Sequence, residues 1–293
     1  DTPDWDVLID VDELARAEDE NWVWAGASVL RPEYERALIS LSRGGADASV
    51  VREFDIPSRT WVADGFELAE NKSDVGWIDR DTVYVGTDFG VQPDGLSSLT
   101  DSGYPRIVKR WTRGTPLSEA VTVFAGETGD VSVRASYDST PGFERHFVGR
   151  ATDFFNSLDY ELRDGRPELL DVPTDAEAQW HRGWLAIRPR TPWTVAGRTH
   201  APDTVLCIGL DAFLGQLAVG DVAADALVPL DPAVPVREGH VAPADPALLA
   251  RRRHHGVLVD QDGRIAVPDR GAAAEQRDDP LAVRGGQGVG EAT

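Results

Sequence analysis

An all-β fold is predicted, a partial β-propeller of about four to five four-stranded blades followed by a poorly ordered C-terminal tail. Three observations predict it. Short segments rich in β-branched and aromatic residues follow one another, each bounded by Gly, Pro, Asp or Ser turns. They fall into groups of about four that recur every roughly 40 to 50 residues, where a sandwich would exhaust its strands after about 100. All 23 aromatic side chains lie at or before Phe213, so the largest contributors to a core stop there.

Taken in order, Ala37 to Ser42 and Ser49 to Asp55 read as a strand pair joined through Arg43-Gly44-Gly45-Ala46-Asp47. Ile56 to Thr60 leads into Trp61 and Val62 as the next strand. Val75 to Ile78 and Thr82 to Gly86 flank a turn at Asp79-Arg80-Asp81. Arg106 to Trp111 pairs with Ala120 to Phe124, and Val131 to Tyr137, Glu144 to Asp153 and Tyr160 to Arg163 continue the series. Trp184 to Arg188 and Thr204 to Leu210 are the last clear strands. A sandwich or an irregular pair of β domains is the structural alternative.

The aromatic break sets a boundary. Residues 1–215 are expected to form the partial propeller, and 216–293 a degenerate or truncated later-blade segment with a disordered tail. Ala, Val, Leu, Pro, Gly, Asp and Arg there bury too little to offset the entropy of ordering. One short strand is expected at His255 to Val259. Asp260-Gln261-Asp262-Gly263 reads as a hairpin turn, because the third ligand and the terminal Glu of a calcium loop are missing.

Charge and composition exclude several functions. A net charge of -21 and a pI near 4.6 repel phosphate backbones and anionic lipid, so neither nucleic acid nor membrane is expected as a partner. No apolar run of about 18 residues could span a bilayer. Cys207 is the single cysteine, which rules out an internal disulfide and a thiolate zinc site. His146, His181, His200, His240, His254 and His255 are scattered, without a helical His pair and its carboxylate, so neither metal nor cofactor is expected. Ser28, in Gly26-Ala27-Ser28-Val29-Leu30, lacks the second glycine of a nucleophile elbow and reads as a strand residue. Asn71-Lys72-Ser73 has no glycine cradle before it for a phosphate. A chain with no Met and no visible export signal is expected to be a piece of a longer, cytoplasmic protein.

Longer stretches carry a resemblance. Asn21 to Asp55, Asp64 to Gly90, Leu99 to Glu127, Thr140 to Leu162 and Pro192 to Gly215 together resemble the N-terminal β-propeller of bacterial prolyl oligopeptidases (prolyl endopeptidases), the serine peptidases of short proline-containing peptides. The marks are Trp22, Trp24, Gly44, Gly45, Trp77, Gly86, Asp88, Gly103, Tyr104, Pro105, Trp111, Phe154, Phe155 and Trp193. They are expected in blade cores, turns and inter-blade contacts, each buried aromatic contributing on the order of 1.5–3 kcal/mol.

In that family a seven-bladed propeller caps an α/β-hydrolase domain that holds a Ser-Asp-His triad. The resemblance implies a non-catalytic, substrate-gating portion whose partners are the hydrolase domain and short proline-containing peptides. No catalytic residue can be carried over, and the chain is expected to be inactive alone. It also implies an arginine touching substrate, for which Arg145 is the candidate. Open blade faces imply self-association. The alternatives are a free-standing peptide- or protein-binding module, or a non-functional remnant.

Overall fold

A computed structural model of the chain describes residues 5–217 and three further short strands at 228–229, 258–259 and 264–268. The fold is a partial β-propeller. It opens with β1 (Trp5–Asp10) and α1 (Val11–Glu18). Blade 1 follows as β2 (Trp22–Val29), β3 (Arg36–Arg43) and β4 (Ser49–Asp55), its outer position shared by β5 (Thr60–Trp61) and β6 (Glu67–Asn71), both paired with β4. Blade 2 is the antiparallel meander β7 (Asp74–Asp79), β8 (Thr82–Gly86), β9 (Ile107–Thr112) and β10 (Val121–Ala125). Blade 3 repeats it with β11 (Ser132–Asp138), β12 (Arg145–Ala151), β13 (Ser157–Arg163) and β14 (Arg166–Leu169).

Blade 4 is β15 (Glu177–His181), β16 (Trp184–Arg188), β19 (Leu206–Gly209) and β20 (Val228–Pro229), interrupted by the small hairpin β17 (Trp193–Val195) and β18 (Arg198–His200). Helix α2 (Leu210–Leu217) continues directly from β19. A three-stranded sheet joins β1 to β22 (Arg264–Pro268) and β21 (Leu258–Val259). The strand expected at His255 to Val259 is thus found at its last two residues. The rest of that range, the Asp260–Gly263 turn and most of 216–293 lie outside the described residues.

Second strands explain why blades stack. In β3, Leu38 faces the core toward blade 2, while Ala37, Ile39 and Leu41 face the core under β1 and α1. In β8, Val83 and Val85 face blade 1 and Tyr84 faces blade 3. In β12, Val148 faces blade 2 and Phe147 faces blade 4. The period of two in a strand lets one apolar run seal two seams. Within blade 2, Gly86 lets the chain leading into β9 approach the end of β8, since a Cβ there would stand 2.7 Å from Pro105 Cβ.

Two elements depart from the strand reading. Helix α1 stands where no helix is predicted. Asp10 caps it, its Oδ1 accepting the Glu13 amide at 2.9 Å, and Val11 is buried beneath blade 1. After β5 the outer strand resumes as β6, a polar edge segment of which only Leu68 is buried. The break lies at Asp64 and Gly65, where a side chain on Gly65 would collide with Glu53 at 2.9 Å. Among the described residues no helix is long and apolar enough to cross a membrane.

Candidate functional site

First strands β2, β7 and β11 lie side by side, with Trp77 Nε1 donating to the Ser28 carbonyl at 2.9 Å. Their C-terminal halves converge on an axial cavity of about 560 Å³. Ser28, Tyr34, Ile78, Ser136, Tyr137, Asp138 and Thr140 are among its walls. Asp138 is occupied locally, its Oδ1 accepting the Thr140 amide at 2.9 Å and hydroxyl at 2.6 Å. Burial, helped by Glu144, Asp138 and Asp79, raises the pKa of Tyr137, so its hydroxyl remains a neutral donor. Hydroxyls and aromatic edges of this kind can hold an extended polar chain.

Because each blade is an antiparallel meander, the cavity end also carries the connections from first to second strand. The connections from second to third strand emerge at the opposite end, and those of blades 2 and 4, residues 87–106 and 189–205, are the long ones. Residues 87–106 are pinned by Arg106, which is 3% exposed. Its Nε donates to Ser97 O at 2.7 Å, Nη1 to Gly126 O at 3.2 Å and Nη2 to Asp94 Oδ2 at 3.2 Å. Buried Ser98 accepts the Phe89 amide at 2.7 Å. The loop tied down in this way presents Val91, 76% exposed, and Leu96, 45% exposed.

The corresponding turn of blade 3 does the same with Phe154 and Phe155, 89% and 72% exposed. Asp153 Oδ1 orders it by accepting the amides of Phe155 at 2.7 Å and Asn156 at 2.8 Å. Of the roles expected for the marks (blade core, turn, inter-blade contact), these two rings take the turn, and they stand in solvent there. Between blades 1 and 2 the same end is latched by Asp47, which accepts Tyr104 Oη at 2.7 Å and pairs with Lys72 Nζ at 3.0 Å. Those two partners hold the Asp47 carboxyl below its usual range.

Arg145 begins β12 at the cavity end but does not line the axial cavity. Its Nη1 donates to Glu161 Oε1 at 2.6 Å and its Nη2 to Asp211 Oδ2 at 2.7 Å, and Arg163 bonds the same two carboxylates. This ionic cluster ties blade 3 to α2. The Arg145 Nε is buried with no hydrogen-bond partner. Sequence reasoning does not reveal the cluster, because Asp211 lies 66 residues away. It also misses Tyr84 Oη, which shares a 2.8 Å hydrogen bond with His146 Nδ1 across the blade 2–3 seam. Burial raises the Tyr84 pKa to about 12. Cys207 is a partly buried thiol whose pKa burial raises, which makes it a poor nucleophile.

Residues 1–141 match the family model described as "Prolyl oligopeptidase, N-terminal beta-propeller domain". An uncharacterized peptidase of Sinorhizobium fredii is 35% identical over 224 residues, which is 74% of this chain and 30% of that protein. An uncharacterized peptidase of Rickettsia prowazekii is 28% identical over 195 residues, 61% of this chain and 26% of its own length. The chain therefore spans less than a third of the curated relatives it matches. The solved structure of a post-proline cleaving enzyme from Rickettsia typhi superposes with a TM-score of 0.69 over 78% of this chain and 34% of that one, at 24% identity, and so supports the fold. Four meander blades, the match over residues 1–141 and these peptidase relatives converge on one conclusion: the chain carries the N-terminal β-propeller of the prolyl oligopeptidase family.

Proposed function

We propose that the chain is the non-catalytic, substrate-gating propeller portion of a prolyl-oligopeptidase-like serine endopeptidase acting on short proline-containing peptides. The observation that carries this reading is the end of the propeller opposite the axial cavity. There, two separately ordered connections hold Val91, Leu96, Phe154 and Phe155 in solvent. Ordered apolar side chains at one end of a domain mark a docking surface, and the partner in this reading is an α/β-hydrolase catalytic domain. The axial cavity then lies on the path between solvent and that partner and restricts substrates by width.

Arg145 is the proposed substrate contact within this reading. Its Nε is buried and its Nη atoms are held by Glu161 and Asp211, so contact with a peptide requires one of these pairs to open. The test is hydrolysis of a blocked Gly-Pro chromogenic amide by the purified chain, with and without a hydrolase domain of the family. Turnover only on complementation, lost when Phe154 and Phe155 are both replaced by Ser, is the expected result. Turnover by the chain alone would overturn it.

A second reading, a free-standing peptide- or protein-binding module, draws on the sheet in which β1 pairs with β22. That sheet gives blade 1 a neighbour from this chain and reduces the open faces that would drive self-association. Saturable peptide binding by a monodisperse monomer, with no gain of turnover on complementation, would favour it.

A further inference from the structure

A second cleft, of about 630 Å³, lies between blades 2 and 3 at the cavity end of the molecule. It adjoins the axial cavity across Ile78 and Tyr137 and lies at the end of the molecule opposite the apolar docking residues. At its base Tyr84 and His146 share their 2.8 Å hydrogen bond, and Tyr137 stacks on the imidazole with centroids 4.6 Å apart. With the phenol donating to Nδ1, the imidazole proton sits on Nε2, a donor for which the described residues supply no partner.

Arg110 contributes to the wall from β9. Nearby Arg113, Arg145, Arg150 and Arg163 each hold a carboxylate. Arg110 is exposed and makes no ion pair with any described residue, in a protein with 50 acidic side chains. Val121, Val123 and Leu162 supply apolar surface beside it. A guanidinium fork binds a carboxylate through two parallel hydrogen bonds, and the aliphatic surface accepts what the carboxylate is attached to. Asp79 and Asp164 at the rim disfavour ligands of higher negative charge. The volume falls in the range of small-molecule sites, roughly 300–1,000 Å³.

We propose that this cleft binds a monocarboxylate carried on a small apolar body, such as the C-terminal end of a short peptide, with Arg110 holding the carboxylate and the Tyr84–His146 pair giving a further donor. The inference stands on the cleft and does not require the gating reading. Its test uses the chain alone with no hydrolase domain, so either can fail without the other.

The full chain is titrated calorimetrically at pH 7 with N-acetyl-glycyl-valine, its C-terminal amide, 3-methylbutyrate and inorganic phosphate. The acids bind saturably and the amide does not. Arg110→Gln weakens acid binding by at least about tenfold, whereas Arg16→Gln, at an exposed arginine on α1, leaves it unchanged. If Arg110→Gln disturbs the thermal melt, Arg110→Lys replaces it, keeping the charge and losing the fork. Tighter binding of the peptide acid assigns the site to peptide ends, and tighter binding of 3-methylbutyrate assigns it to free short-chain acids. Both outcomes support the carboxylate site. No saturable binding, equal binding of the amide, tighter binding of phosphate, or insensitivity to both Arg110 variants would overturn it.

Discussion

The seam between blades 1 and 2 and the seam between blades 2 and 3 use the same strands in the same order, yet they close differently. In the first, Phe66 packs edge-on against Trp77 and Trp111, with centroids 5.8 and 5.0 Å apart. Glu53, its side chain fully buried, receives Arg113 Nη1 at 2.9 Å and Nη2 at 3.0 Å, and also the Phe66 amide at 2.9 Å. In the second, Val108, Val133, Ala135 and Val148 pack the interior and Phe124 meets Tyr160 at 5.0 Å, while toward the cavity end Tyr84 and His146 line a cleft that stays open. Small β-branched side chains pack flat between sheets but cannot fill the flare where two blades diverge, whereas large rings can. A blade seam is therefore closed or left as a cleft by the few residues near its ends rather than by its strand cores.

The contrast breaks most visibly at Arg113. Its replacement by Ala leaves Glu53 buried with Arg36 at 3.9 Å as its remaining cation and the Phe66 amide as its hydrogen bond, and we expect a loss of about 3–5 kcal/mol in denaturant unfolding. Tyr84→Phe removes one neutral hydrogen bond from the open seam and should cost about 1 kcal/mol in the same measurement. Equal losses from the two variants would mean that the seams do not differ in kind.

The acid response sharpens the comparison next. Burial, and then the neighbouring Arg110, hold the His146 pKa below its ordinary 6.5. Between that lowered value and 6.5 the unfolded chain binds a proton that the folded chain does not. The contribution of this site is therefore complete above about pH 6.5 and declines as pH falls through the window below it. Tyr84 and Tyr137 also face the ring, and both remain protonated throughout that window. The difference in melting temperature between pH 7.5 and 5.5 should shrink in His146→Gln, and an unchanged difference would remove His146 from the account. The smallest stability effect belongs to the Phe154→Ser, Phe155→Ser double variant. Side chains this exposed leave unfolding free energy within about 0.5 kcal/mol of the parent, so any lost complementation would report docking and not folding.

Much of the fold is legible in the sequence because second strands are apolar on both faces: Ala37 to Ser42, Thr82 to Gly86 and Trp184 to Arg188 read as strands wherever they sit. Edge strands carry no such signal. Glu67–Asn71 is mostly polar and paired on one side, so it is absent from the strands the sequence predicts. Helix α1 is hidden because the surrounding strand grammar masks its Asp10 cap and its short Val11, Leu14 and Ala15 stripe. Site residues are harder to read. Arg145 is singled out by its place in a blade, but its surroundings are set by Asp211 from a distant element. Among the marks, whose expected roles are blade core, turn or inter-blade contact, Phe154 and Phe155 are assigned to the turn by the Asp and Asn that flank them.

The sheet made by β1 and β22 also has a mechanical meaning. Trp5 stands opposite Pro268 at one end of the pairing and Asp10 opposite Arg264 at the other. Tension applied at Trp5 and Pro268 loads the rungs one after another, as in a zipper, instead of shearing them all together. Single-molecule pulling from those two points should open this clasp at low force while the blades, whose strands lie inward of it along the chain, keep their length.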